Sequence, residues 1–88
     1  MDSLEREALI TRGRKAKDVI ENDAFQDAMN TVVNELFAQF LATGPEESVD
    51  REKLWATGQA VERLTRQLTT FVQTGAVEER HKAEDAKR

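Results

Sequence analysis

The sequence predicts an all-α protein in which a short N-terminal helix packs on a long antiparallel helical hairpin. Three observations favour this fold class. No stretch alternates apolar and polar residues over the length of a strand, so a β-sheet is not expected. Apolar residues instead recur every three or four positions along two long segments, as on one face of a helix. Between those segments the single Pro45 follows Gly44, where a hairpin of helices needs its turn.

The first predicted helix spans residues 3–21. Asp2 or Ser3 is suited to cap it, because either side-chain oxygen can accept a hydrogen bond from a free amide of the first turn. Its apolar stripe is imperfect, and Gly13 interrupts the stripe at a cost of about 1 kcal/mol relative to Ala. We therefore expect this helix to be weaker than the two that follow.

The second predicted helix, residues 24–43, has the clearest apolar pattern in the chain. Asn22 or Asp23 is suited to cap its start. At its end we expect Gly44 in the left-handed conformation, with Pro45 preventing continuation. The apolar residues at helical spacing are Phe25, Ala28, Met29, Val32, Val33, Leu36, Phe37, Phe40 and Leu41.

The third predicted helix spans residues 49–74, with Ser48 or Asp50 as its cap and Thr74-Gly75 as its end. Its apolar stripe repeats every seven residues, at Leu54, Val61 and Leu68. Gly58 lies on the same face, where a missing side chain would let another helix approach closely. Its length matches that of the second helix, and their short polar link predicts an antiparallel hairpin.

With 88 residues, the chain has room for one domain, which we place at residues 1–77. Residues 78–88 are nearly all charged, so we expect a flexible tail that is dispensable for folding. A core of this size is marginal, and the chain has no Cys and only one His for a disulfide or a zinc site. Association with another chain is the remaining common way to stabilise so small a fold.

The net charge of −4 argues against a nucleic-acid-binding protein. Residues 18–50 contain eight acidic residues and no Lys or Arg, between two mildly basic segments. Charge complementarity within the hairpin or between protomers explains this pattern, and a basic partner of the second helix is the alternative. A basic cluster on the first helix is interpreted as a solvated face, with phosphate contact as the alternative, and comprises Arg12, Arg14, Lys15 and Lys17.

Catalysis is not expected, because a hairpin of this size offers no pocket in which carboxylates could acquire shifted pKa values. We predict that the chain is not an enzyme and that it holds no metal or cofactor. Membrane insertion is not expected either, since no apolar run approaches the roughly 20 residues of a membrane span. The functional residues must then be those that contact another protein.

Four residues are predicted to bind a partner. Val33, Phe37 and Leu41 widen the apolar stripe of the second helix beyond what one neighbouring helix covers, so they should contact the first helix or another protein chain. Trp55 either covers the open end of the hairpin or anchors a partner, because Trp is enriched at binding hot spots. A second copy of the chain and a larger protein both remain candidate partners.

Five short segments occur in a distinctive order along the chain: Arg12-Gly13, Ala16, Asn22-Asp23-Ala24-Phe25, Arg51-Glu52-Lys53-Leu54-Trp55 and Thr74-Gly75. This order resembles a group of short helical proteins encoded by tailed bacteriophages and prophages, often near head and packaging genes. The resemblance spans about residues 5–76 and consists of caps and helix faces rather than chemistry. Those proteins often have a Pro before the Phe of the second helix, where this chain has Ala24.

The resemblance implies a phage or prophage origin and transfers no catalytic or ligand-binding residue. We therefore expect a small structural or assembly protein that packs on itself or on a larger virion component, made in the host cytoplasm and carried in the virion. The alternative is a phage-encoded anti-defence or regulatory protein that binds and blocks a host factor. A DNA-packaging accessory role is a third reading, which requires the basic first helix to bind DNA.

Overall fold

A computed structural model describes residues 2–88 as three helices: α1 (Ser3–Glu21), α2 (Asp23–Ala42) and α3 (Ser48–Ala86). The predicted all-α class is confirmed. With 39 residues, α3 is as long as α1 and α2 placed end to end. The molecule measures 65 × 25 × 16 Å and its radius of gyration is 18.7 Å, whereas a compact domain of this length would have about 12 Å. The protein is therefore a rod with a high ratio of surface to volume.

The helices α1 and α2 follow one another along α3, and both run antiparallel to it. Arg6 near the start of α1 bonds to Asp85, whereas Arg12, further along α1, lies on Phe71. At the other end of the rod, Arg51 of α3 lies on the Phe40 ring at the end of α2. Each half of α3 thus has its own partner helix, and α1 packs beside the α2–α3 hairpin rather than across it.

Two of the predicted helix caps are present. The Asp2 carboxylate accepts a hydrogen bond from the backbone N–H of Glu5 at 2.8 Å, and the Asn22 side chain accepts one from Phe25 at 2.9 Å. Asn22 has an extended backbone, with ψ of 125°, and it both ends α1 and caps α2. Because this single residue separates the helices, α2 begins at Asp23, one residue earlier than predicted.

The turn after α2 does not use the predicted left-handed glycine. Within residues 2–88 no glycine has a positive φ, so the prediction for Gly44 is wrong. The helix instead ends when Thr43 adopts an extended conformation, with φ of −77° and ψ of 141°. The carbonyl oxygen of Phe40 accepts both the Thr43 hydroxyl at 2.7 Å and the Thr43 backbone N–H at 3.2 Å, which holds the end of the helix in place.

Both ends of α3 differ from the prediction. Its N-cap is Glu47, which makes no side-chain capping bond, and Ser48 and Asp50 lie inside the helix. At the other end, the helix continues through Gly75 to Ala86, so the predicted end at Thr74-Gly75 is wrong. Gly75 is buried against α1. Close packing of the helices at this point outweighs the low helix propensity of glycine.

The tightest packing in the molecule lies where α1 crosses α3. A Cβ atom placed on Gly13 would lie 2.8 Å from the carbonyl oxygen of Phe71 and 2.9 Å from the Cα of Gly75. Beside this contact Ile10 and Ala16 are buried, with only 2% and 4% of their surface exposed. No residue of α2 is buried. The core therefore lies between α1 and the C-terminal half of α3.

The charged segment predicted as a tail is part of this packing. Residues 78–86 extend α3 alongside the first half of α1, and ion pairs join the two helices there. The helix therefore continues through this segment, whereas its flexibility and the domain boundary at residue 77 stay predictions. The ion pairs between the helices are Arg6–Glu78 at 3.1 Å, Arg6–Asp85 at 2.8 Å, Arg14–Glu79 at 2.8 Å and Glu7–Lys82.

Candidate protein-interaction surface

An open apolar groove of about 370 Å³ lies between α2 and the N-terminal half of α3. We call it the hairpin groove. Among its lining residues only Gln59 and Trp55 have a side chain with a polar group, so the groove offers apolar contact and few hydrogen bonds. The lining residues are Val33, Leu36, Phe37, Phe40, Leu54, Trp55, Gly58, Gln59 and Val61.

Contacts at the turn hold one end of the hairpin groove in place. The guanidinium of Arg51 lies 4.2 Å from the centre of the Phe40 ring, a cation–π contact between the two helices. The same guanidinium donates to the carbonyl oxygen of Thr43 at 3.4 Å. These contacts fix the spacing of α2 and α3 at the turn, and the lining side chains extend from there along both helices.

The structure brings together three of the four predicted partner-binding residues. Val33, Phe37 and Trp55 line the hairpin groove, with 49%, 64% and 65% of their surfaces exposed. Leu41 is 67% exposed at the end of α2, but it does not line the groove. Because α1 packs on the other half of α3, it does not cover this surface. Contact of these residues with another protein chain stays a prediction.

Sequence reasoning missed that residues assigned to the hairpin core also belong to this surface. Leu36, Phe40 and Leu54 are only half buried and line the same groove as the exposed residues. The space around Gly58 is open as well, since a Cβ placed there would have no atom within 4 Å. The sequence contained a signal for this, because Gly58 shares a face with Leu54 and Val61.

The two helices beside the groove differ in charge. Between Asp18 and Asp50 the chain has no Lys or Arg, so the charged side chains of α2 are all acidic. The neighbouring part of α3, residues 51–70, has a basic excess. None of these charged side chains lines the groove itself, so the difference in charge is one between the two helices. The basic residues of this part of α3 are Arg51, Lys53, Arg63 and Arg66.

The carboxyl groups with shifted pKa values lie outside the groove. The hydrogen bond from Lys82 lowers the pKa of Glu7 below its usual value, and that from Arg6 does the same for Asp85. Both carboxylates belong to exposed ion pairs between α1 and α3, so these shifts reflect helix packing rather than a reactive site. Within residues 2–88, no three His, Asp or Glu side chains form a cluster that could hold a metal ion.

Part of the basic cluster on α1 is engaged within the chain. Arg12 lies 3.8 Å from the centre of the Phe71 ring, and Arg14 bonds to Glu79 at 2.8 Å. Lys15 and Lys17 are exposed. Two of the four basic side chains therefore have a structural role in holding α1 on α3, which weakens the argument for a phosphate-binding face.

No helix within residues 2–88 has the length and apolar character that crossing a membrane requires. No family model, curated protein or solved structure matches the chain.

Proposed function

We propose that the chain is a small non-enzymatic structural or assembly protein that binds another protein chain through the hairpin groove. The observation that carries this proposal is the exposure of Phe37 and Trp55 beside a continuous apolar surface. Exposed apolar patches rimmed by polar residues mark protein–protein or ligand-binding sites when they are large. Aromatic residues in the middle of the patch are the usual anchors of an interface.

The accessible surface of the whole chain supports the same proposal. It amounts to 6803 Å², whereas a folded monomer of 10.0 kDa is expected to expose about 5,200 Å². In the half of the molecule beside the hairpin groove, α2 has no buried residue. A second protein on this half would bring the exposed surface closer to the value for a folded domain.

The proposed setting is a bacteriophage particle, with a second copy of this chain or a larger virion component as the partner. The pattern of caps and helix faces that resembles phage-encoded proteins supports this setting. Mass spectrometry of purified particles tests it, and we expect the chain at a fixed copy number. Early synthesis in the infected cell and absence from particles would instead favour a protein that blocks a host factor.

A pair of variants links the groove to this function. Phe37→Ser removes an exposed aromatic side chain from the groove, and Leu64→Ser removes an apolar side chain that is 58% exposed outside it. We expect the first variant to fold but to be lost from particles, and the second to be incorporated normally. Equal incorporation of both variants would contradict a role for the groove in assembly.

A further inference from the structure

We propose that a second copy of this chain occupies the hairpin groove, giving a two-fold symmetric dimer. In this dimer α2 and the N-terminal half of α3 from each copy form a four-helix core. The inference rests on the proposed function, because it identifies the chain that the groove binds. The area, the shape and the charge of the exposed surface all favour a second copy of the chain as the partner.

The exposed area fits a dimer of this kind. Each chain exposes about 1,600 Å² more than a folded monomer of its mass should. If two copies bury this excess against each other, the interface removes about 3,200 Å² in total, within the roughly 2,000–5,000 Å² of obligate homodimers. Weak transient contacts, which bury less than about 1,200 Å², would leave most of the excess exposed.

The surface has both large apolar side chains and an open space, which can fit together in a symmetric interface. Phe37 and Trp55 line the hairpin groove and are largely exposed, and the space over Gly58 is open on the same surface. A two-fold axis places a residue of one copy against a different residue of the other, and the reverse contact follows by symmetry. An aromatic side chain from each copy can then fill the space over Gly58 of the other.

Gly58 also indicates that a second chain approaches this surface. Two other helical glycines show what such residues do in this chain. Gly13 and Gly75 are buried where α1 and α3 come into backbone contact. Gly58 carries the same cost of about 1 kcal/mol relative to Ala within a helix. Nothing in its own chain lies near enough to use the missing side chain. A close approach by a second chain explains why glycine is there.

Charge selects the pairing within the dimer. Two copies of α2 side by side would bring together two helices whose charged residues are all acidic. If α2 of one copy instead lies against α3 of the other, its carboxylates face a helix with a basic excess. Complementary charges fix orientation and partner choice at an interface. The favoured dimer therefore alternates α2 and α3 around its core.

Trp55 is the only Trp in the chain, so its fluorescence reports directly on the groove. We expect its emission to shift to shorter wavelength, and its quenching by acrylamide to fall, as the protein concentration rises from nanomolar to high micromolar. Light scattering should show the molar mass doubling over the same range. A monomer with an accessible Trp55 throughout would overturn the proposal, as would a dimer in which Trp55 stays accessible.

Substitution at Gly58 tests the close approach, with a matched control on the same helix. Gly58→Gln places a polar side chain in the groove, where an isolated chain has room for it. Ala60→Gln places the same side chain at an exposed position outside the groove lining. We expect the first variant to remain helical and to dimerise at least about tenfold more weakly, and the second to dimerise normally. Equal dimerisation of the two variants would contradict the proposal.

The failure of this inference can be distinguished from failure of the proposed function. If the chain stays monomeric but Phe37→Ser still prevents incorporation into particles, the groove binds a different protein and only the dimer is wrong. If Phe37→Ser affects neither association nor incorporation, both proposals are wrong. Dimerisation that is lost in Phe37→Ser and kept in Leu64→Ser supports the inference.

Discussion

The two halves of α3 make different contacts with their partner helices. The C-terminal half meets α1 so closely that a Cβ on Gly13 would lie 2.9 Å from the Cα of Gly75. The N-terminal half is separated from α2 by a groove of about 370 Å³, and a Cβ on Gly58 would touch nothing. The buried residues lie where the C-terminal half of α3 meets α1, whereas the most exposed aromatic side chains lie on α2 and the N-terminal half of α3.

The α1–α3 pair buries its contact surface within one chain, whereas the α2–α3 pair leaves much of its apolar surface exposed. In the α1–α3 half, small residues allow close backbone contact, and ion pairs flank the contact on exposed positions. In the α2–α3 half, large apolar residues are present but are only half buried. Apolar residues in such number contribute their full stabilisation only when another surface covers them. The α2–α3 half thus has the apolar composition of a protein core, but no second surface covers it.

The largest expected effect comes from removing residues 78–88. The sequence alone suggested that this change would leave stability nearly unaltered. In the structure, those residues pack on α1, and their loss would expose Ile10 and remove the partners of Arg6 and Glu7. We expect the truncated chain to lose a large part of its free energy of unfolding, because small domains are stable by only about 5–15 kcal/mol in total. Chemical denaturation of the truncated chain measures it, and an unchanged midpoint would contradict the packing of α1.

A comparison of Ile10→Ala with Phe37→Ala tests the two halves directly. Ile10 is 2% exposed, so its truncation should cost roughly 2–5 kcal/mol of unfolding free energy. Phe37 is 64% exposed and should cost the isolated chain less than about 1 kcal/mol. Denaturation in dilute solution, below the concentration of any association, is the measurement. Similar losses for the two variants would show that α2 is packed as firmly as α1.

The same substitution should have opposite effects at two glycines. Gly13→Ala forces a methyl group against backbone atoms of α3, so we expect a loss of about 1–3 kcal/mol despite the better helix propensity of Ala. Gly58→Ala meets no atom, so the dilute chain should gain about 1 kcal/mol. Thermal melts of both variants at low concentration provide the test. A gain in both would mean that α1 and α3 are further apart than described.

The smallest expected effect is a pH dependence from the ion pairs of the α1–α3 half. The pKa values of Glu7 and Asp85 are lowered in the folded chain, so their contribution is present above the ordinary carboxyl range and disappears as the pH falls through the lowered values. We expect Glu7→Gln with Asp85→Asn to lower the Tm slightly at pH 7 and to have no effect in strong acid. Glu52→Gln, outside this contact, is the control. An equal pH dependence in the double variant and the original chain would show that these pairs do not contribute.

Much of the fold could be predicted because helical signals are local. The spacing of apolar residues placed α2, and the capping preferences of Asp2 and Asn22 placed two helix starts. The end of α3 could not be found in this way, since Gly75 is a helix stop by local propensity and a packing residue by tertiary contact. The seven-residue row from Leu54 to Leu68 did indicate that α3 continues beyond Gly75. Its next two members are Gly75 and Lys82, and both contact α1.

The interaction surface was only partly predictable, for a related reason. The width of the apolar stripe on α2 indicated that Val33 and Phe37 need more than one neighbour. The sequence could not say whether α1 was that neighbour, because the position of α1 depends on the close contact between Gly13 and Gly75. Once α3 is known to extend to Ala86, α1 has its own site and the groove is left open.

Hydrogen exchange at two protein concentrations is the most direct test of the difference between the two halves. It shows whether the α1–α3 half is stable in a single chain while the α2–α3 half is stable only when the chain associates. Amide protection reports local opening, so it can be read separately for each half of α3. We predict that α1 and residues 68–85 are protected equally at both concentrations. The amides of α2 and residues 50–66 should exchange rapidly in dilute solution and become protected when the chain associates. Strong protection of α2 in dilute solution, equal to that of α1, would contradict the account.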